Sequence, residues 1–167
     1  QINHFNVHRN HFYIFTKIME KRKTYIVVTA LFALYIVAVL CLCLLNLSDK
    51  TPELPKYLFG IPMDKIAHFV MYFAYPVVGW LLLTYNKQIK INRKYVFSTI
   101  FITGVAFAAF TETAQGLFTT YRDSDPLDML ANFLGISAAC ILMKLLEKPA
   151  TRLCDSIQNY MHNRLYK

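Results

Sequence analysis

The fold is decided by one uninterrupted apolar stretch, TYIVVTALFALYIVAVLCLCLLNL at residues 24–47, which has no charged side chain in 24 positions. As a helix rising about 1.5 Å per residue it is about 36 Å long, enough to cross a hydrocarbon core of about 30 Å with some tilt. It exceeds the apolar region of a signal peptide, and no small-x-small cleavage site follows it. We therefore predict a retained transmembrane helix.

Three further apolar runs follow, at residues 66–85, 95–118 and 127–146. Each is about 20 residues long and continuous rather than alternating, which favours helices over barrel strands. The sequence therefore predicts an all-α membrane protein, a compact bundle of four transmembrane helices. Two pairs of small residues, Gly104 with Ala108 and Gly135 with Ala139, are typical of helices that pack closely.

The two ends of the chain differ from this membrane domain, which we place at residues 24–146. Residues 1–23 are predicted to form a basic cytoplasmic tail. Residues 1–18 precede the first methionine, Met19, and are interpreted as an upstream extension. Residues 147–167 are predicted to form a cytoplasmic amphipathic helix, with Pro149 near its start, on the inner membrane face; a frayed polar tail is the alternative.

Composition and charge agree with a membrane protein. The chain is 56% hydrophobic and only 17% charged, whereas soluble domains carry about 25% charge. Of 18 Lys and Arg residues, 14 lie in the N-terminal tail, the loop between the second and third helices, and the C-terminal end. By the positive-inside rule, both termini are predicted to lie in the cytoplasm. The membrane is predicted to be the plasma membrane. The net charge of +8 is spread over loops and tails, so no nucleic-acid partner is predicted.

Polar side chains gather at the outer ends of the last three helices. Polar residues are energetically unfavourable inside a membrane, and those that occur there usually have a functional role. Two of them, His68 and Glu112, are candidate catalytic residues. The helix dipole disfavours an imidazolium near a helix N-terminus and a carboxylate near a C-terminus, so neither has a local reason for its position. The remaining residues of the cluster are candidate binding residues: Asp64, Lys65, Tyr72, Gln115, Arg122, Asp123, Asp128 and Asn132.

Structural explanations compete with the functional one. Asp125, before Pro126, is the predicted N-cap of the fourth helix, with Asp128 in its first turn. The same structural role, an acidic residue at a helix N-terminus, could explain Asp64 at the start of the second helix. Lys65 could extend to the interface, Tyr72 could be an interfacial aromatic residue, and Asn132 could form an interhelical hydrogen bond. The main alternative for the cluster as a whole is a salt-bridge network joining His68, Glu112 and Arg122.

The ordered motifs Asp64-Lys65-x-x-His68, Glu112-x-x-Gln115, Arg122-Asp123 and Asp128-x-x-x-Asn132-x-x-Gly135 resemble the VanZ-like family of small bacterial membrane proteins. The resemblance runs from about residue 30 to 146. It implies a few-helix membrane protein of the cell envelope and, for the family's namesake, a role in teicoplanin resistance. It implies no established reaction.

Several functions fit these observations. The first is an enzyme acting on a lipid or envelope headgroup at the outer face, with His68 or Glu112 as base and Arg122 holding an anionic group. The others are a non-catalytic binding or accessory protein and a purely structural cluster. A proton-coupled transporter is less favoured, because the cluster lies at one face rather than at mid-membrane. Acids and a histidine could also bind a divalent metal, but their spacing matches no known motif, so no metal and no cofactor are predicted.

Overall fold

A computed structural model describes residues 24–45, 57–58, 60–86, 88–119 and 125–165. Helix α1 covers Thr24–Leu44. Strands β1 (Tyr57–Leu58) and β2 (Ile61–Pro62) come next, followed by α2 (Met63–Tyr85). A short 3-10 helix, Arg93–Tyr95, leads into α3 (Val96–Phe118), and α4 covers Pro126–Leu165.

Within the described residues four helices are long and apolar enough to cross a membrane, which confirms the predicted all-α bundle. These spans are Thr24–Leu44, Met63–Tyr85, Arg93–Phe118 and Pro126–Ile157. Large apolar side chains remain exposed along all four helices, among them Leu34, Val70, Ile102 and Leu145. Such an apolar outer surface suits lipid rather than water.

A two-residue antiparallel ladder that the sequence did not predict precedes α2. Tyr57 pairs with Pro62 and Leu58 with Ile61. Gly60 in the turn has a φ of 79°, a left-handed conformation that glycine adopts without a steric penalty. The ladder ends directly at α2, whose first residue is Met63, three positions before the predicted start. Asp64 and Lys65 therefore lie inside the first turn of the helix.

Helices α2 and α4 approach closely at Gly135. A Cβ atom there would lie 2.4 Å from the Phe69 carbonyl oxygen on α2, so only glycine fits without a shift. Ala139 and Ala108, the partners of Gly135 and Gly104 in the predicted small-residue pairs, are both 0% exposed. This close packing aligns the start of α4 with the start of α2, where the polar residues lie.

The C-terminal segment is helical as predicted, but it does not begin a new helix near Pro149: α4 continues through Pro149 to Leu165 as one 40-residue helix. Proline removes one backbone donor from a helix but does not end it where packing supports both sides. Here Ala150 and Cys154, beyond the proline, pack on a core cluster that includes Trp80, and the Tyr85 hydroxyl donates to Asp155 at 3.3 Å. The tail is thus part of the bundle's fourth helix.

Candidate functional site

The first turns of α2 and α4 and the last two turns of α3 meet at one end of the bundle. The start of α4 forms as predicted. Pro126 is its first residue, and Asp125 is the N-cap, whose Oδ1 accepts a hydrogen bond from the Leu127 amide at 2.8 Å. This cap fixes where α4 begins, and Asp128 and Asn132 then follow on its inner side, 2% and 0% exposed.

Lys65 is surrounded by carboxylates. Its ammonium group lies 2.9 Å from Asp64 and 2.6 Å from Asp128, and it also pairs with Asp125. Only 14% of the lysine side chain is exposed, so Lys65 does not extend to the interface. The pairs join α2 to the start of α4. Because three acids share one ammonium, Lys65 has little capacity left for an anionic ligand.

His68 lies one turn further along α2 and is 2% exposed. Its Nδ1 is 3.0 Å from Asn132 Oδ1. An amide oxygen only accepts, so a neutral ring in this contact carries its proton on Nδ1. Its Nε2 then presents a lone pair in the direction of Asp128 Oδ2, 3.6 Å away, which is beyond hydrogen-bonding distance. The Asn132 contact therefore orients the ring and selects its tautomer.

Glu112 is 6% exposed and uses its two oxygens differently. Oε1 accepts a hydrogen bond from the Asp125 backbone amide at 2.8 Å. That contact supplies the local reason that the sequence lacked, because Glu112 helps to hold the start of α4. Oε2 is buried and has no hydrogen-bond partner among the described residues. A buried carboxylate oxygen without a partner is costly, and this is typical of a site that awaits a ligand or a proton.

Two predicted binding residues instead join helices. Tyr72 is 0% exposed, and its hydroxyl shares a hydrogen bond with the hydroxyl of Thr111 on α3, so it is not an interfacial aromatic residue. The Gln115 amide donates to the Cys43 carbonyl at 3.1 Å, which connects α3 to α1. Both stabilise the walls of the site rather than line its centre.

Outside the membrane-spanning helices, the Asp125 carboxyl has its pKa lowered from the usual range. The hydrogen bond from Lys65 is the main cause, and the one from the Leu127 amide adds to it. Asp125 is therefore ionised at neutral pH, which strengthens both the helix cap and the pair with Lys65.

Three helices thus contribute one potential ligand or proton-transfer group each. Atoms of His68, Glu112 and Asp128 that can bind a metal lie within 4.8 Å of one another, and all three residues are buried. Asp64 stays at the rim, with 44% of its side chain exposed. The predicted residues Arg122 and Asp123 lie outside the described residues.

A cleft between α2 and α4, which the sequence did not reveal, adjoins the cluster. It has a volume of about 470 Å³, and Lys65 is the charged residue among its lining side chains. The rest of the lining is apolar: Ile61, Pro62, Ile66, Phe69, Leu127, Leu130, Ala131 and Leu134. The volume falls in the range of about 300–1,000 Å³ typical of small-molecule sites. Only the pairing of two helix faces creates the cleft, so no single segment signals it.

Comparisons with known proteins add little to this geometry. No family model matches the chain, and no solved structure matches it. An uncharacterised protein from Schizosaccharomyces pombe is 33% identical over 85 residues, which is 51% of this chain and 49% of that protein. The match thus spans about half the length of this relative.

Proposed function

We propose that the chain is a VanZ-like protein of the plasma membrane that binds an amphipathic lipid or envelope compound and acts on its headgroup at the polar site. One observation carries the proposal: an apolar cleft and a buried polar cluster meet at Lys65. A ligand with an acyl chain in the cleft would place its headgroup beside the cluster. Arg122 is the residue that we assign to an anionic part of that headgroup.

Glu112 is the proposed general base. Its Oε2 has no hydrogen-bond partner among the described residues, so it is available to take a proton from a hydroxyl group or a water molecule. A carboxylate held in place next to a histidine is a common arrangement for general acid–base catalysis. The protonated Glu112 would then return its proton to the leaving group, while His68, with its ring held by Asn132, would orient the nucleophile through Nε2.

The test is turnover by the purified full-length chain in mixed micelles of detergent and total phospholipid, with products followed by mass spectrometry. We expect a product that is lost in Glu112→Gln and His68→Gln. Glutamine at position 112 keeps an oxygen that can accept from the Asp125 amide, so the helix start survives while the base is removed. Glu147→Gln is the matched control, because Glu147 pairs with Arg93 on a part of α4 away from the cluster.

The same experiment separates the alternatives. Lipid that co-purifies without any product, and is lost in Glu112→Gln, would indicate a binding or accessory protein. The Lys65 pairs favour a structural role as a second candidate. In that case Glu112→Gln would lower the melting temperature and change neither lipid binding nor turnover.

The proposed orientation places the site at the outer membrane face and both termini in the cytoplasm. A single cysteine introduced at Asp49, in a chain freed of its four native cysteines, should react with an impermeant thiol reagent added to intact cells. A cysteine at Lys90 should not react until the cells are opened. The reverse pattern would move the site to the cytoplasmic face. In a bacterial host, the VanZ resemblance leads us to expect an altered susceptibility to teicoplanin.

A further inference from the structure

We propose that His68, Glu112 and Asp128 bind one divalent transition-metal ion, of the Zn²⁺ or Mn²⁺ class. This goes beyond the proposed function, because the ion would bind with or without a headgroup. In the metal-bound form Glu112 would be a ligand, and its role as a base would belong to the metal-free form. Each residue comes from a different helix, and ligand atoms of all three lie within 4.8 Å of one another. Side chains so far apart in sequence show no metal-binding spacing, which is why no metal was predicted from the motifs.

The Glu112 carboxylate points to a cation. Its Oε1 is held by the Asp125 amide, which fixes the group, and its buried Oε2 has no hydrogen-bond partner among the described residues. A neighbouring cation is the most direct way to offset the cost of this buried oxygen. Lys65 cannot serve, because it already pairs with three aspartates.

His68 has the hydrogen bond that metal-binding histidines usually make through the ring nitrogen that does not bind the metal. Such a histidine donates its non-ligating N–H to a carbonyl or carboxylate, which fixes the ring and the tautomer. Asn132 Oδ1, 3.0 Å from Nδ1, is that acceptor, and Nε2, on the Asp128 side of the ring, is the atom that would bind the metal. Asn132 is 0% exposed, so the contact is well protected from water.

Asp128 completes the set by using its two oxygens for two partners. Oδ1 lies 2.6 Å from the Lys65 ammonium, and Oδ2 lies 3.6 Å from His68 Nε2. Two ligands about 2.1 Å from one ion are about 3–3.4 Å apart. The histidine and aspartate atoms are thus close to the separation that a shared ion requires, and lysine holds the aspartate in place.

The ligand types select the ion. One imidazole nitrogen with two carboxylates suits Zn²⁺ or Mn²⁺, whereas Ca²⁺ and Mg²⁺ prefer oxygen ligands alone. Three protein ligands leave a coordination position for water or a headgroup oxygen. The ion would also balance charge, since the described cluster has four carboxyl groups, those of Asp64, Glu112, Asp125 and Asp128, around one ammonium.

Mn²⁺ is the probe for the test, because it binds thiols poorly and is seen directly by electron paramagnetic resonance. The starting protein is the full chain with His4, His8, His11 and His162 changed to glutamine, so that His68 is the one remaining imidazole. It is purified without a histidine tag, treated with EDTA and titrated with Mn²⁺. We expect one bound ion per chain, and ¹⁴N coupling to one imidazole in the spin-echo spectrum.

Variants then assign the ligands. Glu112→Gln and His68→Gln should each weaken Mn²⁺ binding at least about tenfold, and His68→Gln should also remove the ¹⁴N coupling. Glu147→Gln should bind Mn²⁺ like the starting protein. Binding of Mn²⁺ that is equal in the starting protein and the His68→Gln variant would overturn the proposal, and so would bound Mn²⁺ without ¹⁴N coupling.

The measurement stays decisive if Glu112→Gln does not fold, because the ¹⁴N coupling needs no change at that position. Glu112→Asp, which keeps the charge but shortens the side chain, then replaces it and should also weaken binding. No lipid enters the titration, so the metal site and the headgroup activity can fail separately. Turnover without bound metal would leave Glu112 as a base acting alone, whereas metal binding without turnover would leave a metal site in a non-catalytic protein.

Discussion

Replacing Gly135 by alanine tests whether the close approach of α2 and α4 supports the polar site. The added Cβ would lie 2.4 Å from the Phe69 carbonyl oxygen and 3.1 Å from the Phe73 backbone nitrogen. Both atoms belong to the backbone, so no side-chain rotation relieves the clash. The two helices must separate by about 1 Å, and overpacking of this kind costs about 1–3 kcal/mol.

Gly79→Ala is the matched control. A Cβ at Gly79 would meet only the Ile100 side chain, at 3.5 Å, which is ordinary van der Waals contact. Both substitutions gain the same helix propensity, about 1 kcal/mol, so their difference isolates the clash. Gly104→Ala should fall between them, because its Cβ would lie 3.0 Å from the Tyr75 ring, a side chain held by a hydrogen bond to Thr103.

The assay is thermal unfolding of the purified protein in detergent, with all variants measured under one condition. We expect Gly135→Ala to be about 1–3 kcal/mol less stable than Gly79→Ala. For a chain of this size, each kcal/mol lowers the melting temperature by roughly 2–4 °C. The same shift would lengthen the 3.0 Å contact between His68 and Asn132 and weaken Mn²⁺ binding. A Gly135→Ala protein that melts at or above the temperature of Gly79→Ala would refute the predicted clash.

Three further outcomes follow from the contacts of the site. Tyr72→Phe removes the hydroxyl shared with Thr111 and should lower stability by about 0.6 kcal/mol, measured by thermal unfolding; a loss above about 2 kcal/mol would assign Tyr72 a larger role. Asp125 has a lowered pKa, so its stabilising effect is present above the unfolded value of about 3.9 and is lost as pH falls through the lower folded value. Acid should therefore destabilise the wild type more than Asp125→Asn, and parallel acid-melting curves would contradict this. Lys65→Met leaves three carboxylates without their ammonium, so melting temperature should fall more than in Lys148→Met, on the outer side of α4; equal melting temperatures would contradict this.

The number and type of the spanning helices follow from sequence because each apolar run is long enough to cross a bilayer without help from its neighbours. The helix cap at Asp125 was also predictable, since capping depends on residues only a few positions apart. The continuation of α4 to the C-terminal end was not predictable from sequence. Pro149 indicated a new helix, but packing of Ala150 and Cys154 on the bundle let α4 continue.

The candidate site divides in the same way. Charge placement and the helix ends were enough to predict from sequence that His68, Glu112 and Asp128 lie at the same end of the bundle. Their partners depend on distances between helices. Lys65 pairs with three aspartates, Gln115 bonds to α1, and Glu112 Oε2 has no hydrogen-bond partner in the part of the chain that the structure describes. Local sequence controls which residues prefer a helix or a membrane, because those preferences act over one or two turns. The contact of Gly135 with α2 decides which polar groups meet, because hydrogen bonds and metal sites require atoms to be placed within about 1 Å.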